Sequence, residues 1–188
     1  MDKKMMERAI KLLLEAMGID LKKQKDMRDT PKRVAKMYEE VLNGQFKNPE
    51  KELEVILEQR HDEIILLRNI PLYSLCEHHL LPFIGKVHVA YIPDKRITGL
   101  SKIARAVEIL SHRLQVQERL TTEIADIIMK KLKPKGVMVI IEAEHLCMSM
   151  RGVKKPQSIT TTSVVRGVFR KNQKTRQETL SLIFSSQT

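Results

Sequence analysis

Two cysteines and six histidines occur in this 188-residue chain, and five of those eight side chains fall into two short segments. "LCEHHLLP" holds Cys76, His78 and His79 within four positions, and "AEHLCM" holds His145 and Cys147 two apart. Zinc takes thiolate and imidazole donors. A catalytic site uses three protein ligands and keeps the fourth position for water, whereas a structural site closes with four. Five candidates exceed either need. Adjacent side chains diverge, so His78 and His79 do not both reach one ion, and the two-residue gap between Cys76 and His79 suits a ligand pair on a turn. Spacing selects Cys76, His79 and Cys147 as ligands and leaves His78 and His145 for proton transfer. The chemistry implied is metal-assisted hydrolysis, in which the ion brings the pKa of a bound water to about 7 and polarises an electrophile. Two readings stay open beside it: a closed zinc that only stabilises the fold, and buried Cys and His residues with no common purpose. Two thiolates and one imidazole favour zinc, with iron as the alternative.

The elements that must carry these residues follow from hydrophobic period. Residues 2–17 read as a helix with Ile10, Leu13, Leu14 and Met17 on one side and Gly18 at its end. "TPKRVAKMYEEVLNG" reads as a second, with Thr30 as N-cap, Pro31 at the first helical position and Gly44 beyond the end. Residues 50–60 read as a further short helix. "EIILLRNIPLYSLCE" is apolar and β-branched and reads as two short strands divided by Pro71. In "IGKVHVAYIP", Val87, Val89 and Tyr91 alternate with Lys86, His88 and Ala90, the pattern of a half-buried strand. The first cluster therefore lies on the connection between strands 64–69 and 84–92. Ser101 reads as the cap of the helix "KIARAVEILSHR", and a helix follows over about 117–132. "GVMVIIEAEHLCM" reads as a strand that carries both His145 and Cys147, facing the same side as Val137, Val139, Ile141 and Ala143. "SITTTSVVRGVF" reads as another strand, and "TRQETLSLIF" as a terminal helix.

This order gives an α+β fold: a mainly antiparallel sheet with a helical pair on one face. We expect an N-terminal helical segment over residues 1–48 and a catalytic domain over 49–188. A sheet of about four strands has two edges to hide, which points to a homo-oligomer. The net charge is +11, and from Leu146 to Gln177 there is no Asp or Glu beside eight Lys and Arg residues. That balance favours an anionic partner. No apolar run is long enough to span a bilayer, the N-terminal segment is amphipathic rather than a signal peptide, and we expect a cytoplasmic protein with free thiols. Aromatic residues make up only 4% of the chain, so stacking platforms for single-stranded nucleic acid are few.

Several longer segments carry a resemblance. "LCEHHLLPFIGKVHVAYIP", "GLSKIARAVE", "RLQVQERLT", "AEHLCMSMRGV", "TTTSVVRGVF" and "TPKRVAKMYEE" closely resemble type I GTP cyclohydrolase, in that family's order and spacing. The resemblance runs from about residue 29 to the C-terminus. It implies opening of the imidazole ring of GTP, release of C8 as formate, and rearrangement of the ribose to give 7,8-dihydroneopterin triphosphate, the first step of pterin and folate synthesis. It also implies Zn2+ on Cys76, His79 and Cys147, with His78 and His145 as catalytic histidines. His145 would protonate N7, and His78 would serve the ribose oxygen and the attacking water. Glu118 matches the carboxylate that accepts from N1–H and the 2-amino group of guanine, with Gln117 beside it in the pocket. Ser101 and Lys102 match the ribose and phosphate region, with Ser101 acting on the ribose chain. Arg33, Lys36, Arg105 and Arg151 match positions around the triphosphate, where several cations are needed and Arg adds bidentate contacts. The fold implied is the tunnelling fold, with strands joined across subunits into a barrel. The implied assembly is a decamer of two pentamers with sites at subunit boundaries, the short N-terminal helix packing between subunits. Two other readings are weaker: a nucleic-acid-binding protein with a structural zinc, and a nitrile reductase of the same fold, which would not need the Cys and His set.

Overall fold

In the computed structural model, which describes residues 1–54, 56–58 and 61–185, the chain divides into two units, Met1–Asn43 and Gly44–Thr188. The first unit holds helices α1 (Lys3–Ala16) and α2 (Thr30–Val41). The Asp2 side chain accepts from the amide of Met5 and caps α1, and Lys3 pairs with Glu39 of α2 at 3.0 Å. Leu14 of α1 and Ala35 of α2 are buried, but Leu12, Leu13 and Met17 stay exposed. The cap of α2 is Asp29 rather than Thr30, which is itself the first helical residue.

In the second unit, residues 50–60 do not form the expected helix. Pro49–Glu54 is a 3-10 turn, and Ile56–Glu58 (β1) pairs antiparallel with Arg96–Thr98 (β4); Val55, Gln59 and Arg60 lie outside the described residues. The main sheet contains β2 (Ile65–Cys76), β3 (Pro82–Ile92), β5 (Leu114–Gln115), β6 (Gly136–His145) and β7 (Ile159–Gly167), in the order β5-β2-β3-β6-β7. All neighbours are antiparallel except β2 and β5, which run parallel over two residues. Pro71 does not divide β2. The irregularity is a bulge between Leu67 and Ile70, where Asn69 takes φ 59°, and Pro71 keeps register with Lys86. A missing N–H costs nothing there, because β5 meets β2 only at Leu75 and Cys76 and leaves the outer edge open at Pro71.

Helices α3 (Leu100–Ser111) and α4 (Gln117–Leu132) cover one face, as the sequence predicts. Ile103, Val107, Leu110, Leu120, Ile124 and Ile128 pack there against Val87, Val89, Tyr91, Val137, Val139 and Ile141. Each such side chain contributes about 1.5–3 kcal/mol on burial. The opposite face departs from expectation. Ala90, Ile92, Met138 and Ile140 form a second core with Phe169 and Ile183. Phe169 lies in a one-turn helix, α6 (Val168–Lys171), and Ile183 in the terminal helix α7 (Gln173–Phe184). The strand read as half-buried is thus buried on both faces from Val87 to Ile92. The turn from β7 into α6 depends on Gly167: at φ 59°, a Cβ there would lie 2.1 Å from the carbonyl oxygen of Lys135. Among the described residues, no helix is long and apolar enough to cross a membrane.

Candidate metal centre and its surroundings

β2 ends at Cys76, and the chain turns through Glu77, His78, His79 and Leu80 before β3 begins at Pro82. The turn is closed at both ends. The amide of Leu80 donates to the Cys76 carbonyl at 2.8 Å, and the amide of Cys76 donates to the Leu81 carbonyl at 2.9 Å. Leu80 takes the left-handed conformation at φ 55°. The tight turn brings His79 back toward Cys76.

The second cluster is built differently from the sequence expectation. His145 is the last residue of β6, and Cys147 lies beyond it in a one-turn helix, α5 (Leu146–Ser149). Cys147 therefore reaches the site by a helical turn and not by strand alternation. The outcome is one cluster: donor atoms of Cys76, His79 and Cys147 all lie within 4.8 Å of one another. Both cysteines are free thiols, Cys76 buried and Cys147 half-buried. Burial pushes the Cys147 thiol up, and the neighbouring Cys76 pushes it further. A cation held between the two sulfurs would displace their protons.

His78 and His79 diverge, with ring centroids 6.3 Å apart and planes at 78°. Nδ1 of His78 lies 3.8 Å from Sγ of Cys76. The guanidinium of Arg151 lies 3.3 Å from Nε2 of His79.

His145 is held from two sides. Phe83, its register partner on β3, stacks on the ring at 4.8 Å between centroids and 8° between planes. Nε2 lies 2.8 Å from Oε1 of Gln117, the first residue of α4. Gln117 is buried, and its amide nitrogen contacts the carbonyls of Ile141 and Thr160 and the hydroxyl of Thr162 at 2.9–3.1 Å. Burial lowers the pKa of His145, and the charge of Glu118 partly opposes this. Glu118 is exposed in the first turn of α4, where the helix dipole favours an acid.

Ser101, Lys102 and Arg105 share α3. The cap of that helix is Gly99, not Ser101. Lys102 and Arg105 converge on Glu52, at 3.7 and 4.0 Å. Arg33 and Lys36 lie on α2 in the first unit. Of the expected residues, then, Cys76, His78, His79, Cys147 and Arg151 meet at one centre. His145, Gln117 and Glu118 form the adjoining group, and Ser101, Lys102 and Arg105 a third along α3.

Sequence reading missed Phe83, Thr162, Glu77 and Arg119. Arg119 donates to the Glu77 carboxylate, to Oε1 of Gln115 at 2.9 Å and to the Leu114 carbonyl at 3.0 Å. Its link to the turn crosses more than forty residues, and no local pattern signals it.

A family model described as GTP cyclohydrolase I matches residues 6–184. A protein named GTP cyclohydrolase 1 from Carboxydothermus hydrogenoformans is 57% identical over 183 residues, 97% of this chain and 95% of its own. One of the same name from Pelotomaculum thermopropionicum is 56% identical over 97% of both chains, and one from Caldanaerobacter subterraneus is 56% identical over 98% of both. Matches of that extent leave no part of the β2–β3 turn, of β6 or of the helical pair outside the alignment, and the chain belongs to the GTP cyclohydrolase I family.

Proposed function

We propose that the chain hydrolyses the imidazole ring of GTP, releases C8 as formate and rearranges the ribose to give 7,8-dihydroneopterin triphosphate. The observation that carries this reading is the convergence of Cys76, His79 and Cys147 beside two further histidines in a chain of this family. Two thiols and an imidazole suit zinc and leave a coordination position free for catalysis. When bound, zinc supplies an acidified water and a polarising charge.

The chain's own groups do the rest. Glu118 accepts from N1–H and the 2-amino group of guanine, a donor pair that adenine does not present. His145 gives a proton to N7 of the purine, and burial, which lowers its pKa, makes it a willing proton donor once charged. His78, exposed on the turn, moves protons at the attacking water and the ribose oxygen. Ser101 handles the ribose chain. Lys102, Arg105, Arg151, Arg33 and Lys36 bind the triphosphate, with Glu52 holding Lys102 and Arg105 in place until the substrate arrives. The reading carries a homodecameric, tunnelling-fold assembly with it. Its support in the single chain is the pair of sheet edges: among the described residues, β7 and most of β2 have no outer strand. The exposed Leu12, Leu13 and Met17 of α1 offer a surface for packing between subunits. A cytoplasmic location goes with the two free thiols.

The test is product analysis with GTP and ATP side by side. Formate and a pterin triphosphate from GTP, and neither from ATP, are the expected result. Equal turnover of both would remove the role of Glu118, and turnover of neither would remove the reading.

A further inference from the structure

The contacts of Gln117 do not fit a residue that binds substrate. Its amide nitrogen faces the carbonyl oxygens of Ile141 at 3.1 Å and Thr160 at 2.9 Å. Carbonyls only accept, so the NH2 group must point at them and the amide oxygen must point the other way, at His145. The hydroxyls confirm that orientation. Thr121 is 2.6 Å from the backbone carbonyl of Gln117 and spends its one proton there. Thr162, 2.7 Å from Thr121, must then donate to it and accept from the Gln117 amide at 3.1 Å. The side chain is 1% exposed, and both ends of its amide are engaged.

We infer that Gln117 is a positioning residue that locks His145 with its proton on Nε2, so that the proton delivered to the purine enters and leaves at Nδ1. The amide oxygen at 2.8 Å accepts only from an N–H, which fixes the tautomer of the neutral ring. The charged ring keeps the same Nε2–H bond. In the transfer, the Nδ1–H bond breaks and the N7–H bond forms, and the positive charge passes from imidazolium to purine. What remains is the neutral tautomer that Gln117 favours. The stacked Phe83 holds the ring plane, and among the described residues Nδ1 has no hydrogen-bond partner. This deepens the proposed function and rests on it for the identity of the proton acceptor.

The experiment is 15N NMR of histidine-labelled, zinc-loaded protein in alkaline buffer, with His145 assigned by the signal lost in His145→Ala, alongside steady-state kinetics with GTP. In the unsubstituted protein the Nε2–H tautomer should be the only one. In Gln117→Met, which keeps the volume but not the acceptor, the ring should show both tautomers. Its kcat should fall about 10–100-fold with KM within about twofold and zinc content unchanged. Should Gln117→Met fail to fold, Thr162→Val, which removes one of the contacts that orient the amide, should shift the same signals and lower kcat less. A raised KM with kcat and tautomer unaltered would make Gln117 a substrate-binding residue and overturn the inference. The resonances are read without turnover, so a single tautomer in an enzyme that releases no formate would sink the proposed reaction and leave the lock standing. Mixed tautomers in the unsubstituted protein would do the reverse.

Discussion

The guanidinium of Arg119, on the first turn of α4, grips the carboxylate of Glu77 in the turn that joins β2 to β3. The same guanidinium holds Gln115 and the Leu114 carbonyl, and the Glu77 amide donates to the Gln115 carbonyl at 3.1 Å. The turn with Cys76, His78 and His79 is thereby tied to the helix that presents Gln117 and Glu118. Arg119 also holds the Glu77 carboxyl below its usual range. Because the pair is partly solvated, its contribution is to geometry more than to stability. Arg119→Ala should keep the fold and weaken zinc retention about tenfold, as outer-shell partners of metal ligands do. Competition with a chromophoric chelator measures it, and unchanged affinity would show that the turn holds its shape alone.

Among the described residues the Glu118 carboxylate makes no hydrogen bond or ion pair, its backbone carbonyl accepting from Thr122 as part of the helix, and the side chain stands exposed in the first turn of α4, so its substitution should not disturb folding. Glu118→Gln replaces one acceptor oxygen with a donor, directed at a substrate edge that only donates. KM for GTP should rise about 100-fold or more, since a donor left unpaired in a closed site is costly. A calorimetric titration with GTP checks this, and equal affinity would move the guanine site elsewhere.

His88 is buried on the second face, with Nδ1 3.4 Å from the Asn69 amide and Nε2 3.3 Å from Oε2 of Glu142. Lys86 approaches the same carboxylate at 3.9 Å, and Arg68 adds positive charge. Burial outweighs Glu142 and lowers the pKa of the ring. The unfolded chain takes up this proton near pH 6.5, above the folded value. Stability from His88 is therefore complete above that pH and is lost as pH falls through the folded value. As pH falls below about 6.5, Tm should fall more steeply in the native chain than in His88→Gln. Equal slopes would assign the acid sensitivity to other groups.

Cys147 lies just beyond the end of β6, at the edge of an apolar core built from the sheet with α3 and α4. Cys147→Ser should therefore lose zinc and at least about 99.9% of formate release while shifting Tm by only a few degrees. Loss of the fold along with the metal would make the site structural.

Much of this was legible beforehand, for reasons that differ by residue. The approach of Cys76 and His79 could be read because a pair on one turn is local in sequence. Cys147 does join Cys76 and His79, but by a route other than the expected one: it sits on α5, and strand alternation stops at His145. The break assigned to Pro71 was displaced because a proline on an open edge loses no ladder bond, whereas the bulge at Asn69 has no strong composition signal. The second core was hidden because Met138 and Ile140 sit in one unbroken apolar run with Val137 and Val139, and their partners Phe169 and Ile183 arrive only after β7. The contacts of Gln117 were not legible, because they depend on a strand carbonyl at Thr160 that only the register of β6 and β7 brings into place.

The most direct measurement is formate release from GTP by the purified protein, before chelation, after chelation and after zinc is returned. The central claim predicts formate and pterin in equal amounts, their loss with the metal, and recovery that saturates at one zinc per chain. Turnover that persists without metal, or no turnover in a folded protein with zinc bound, would contradict it.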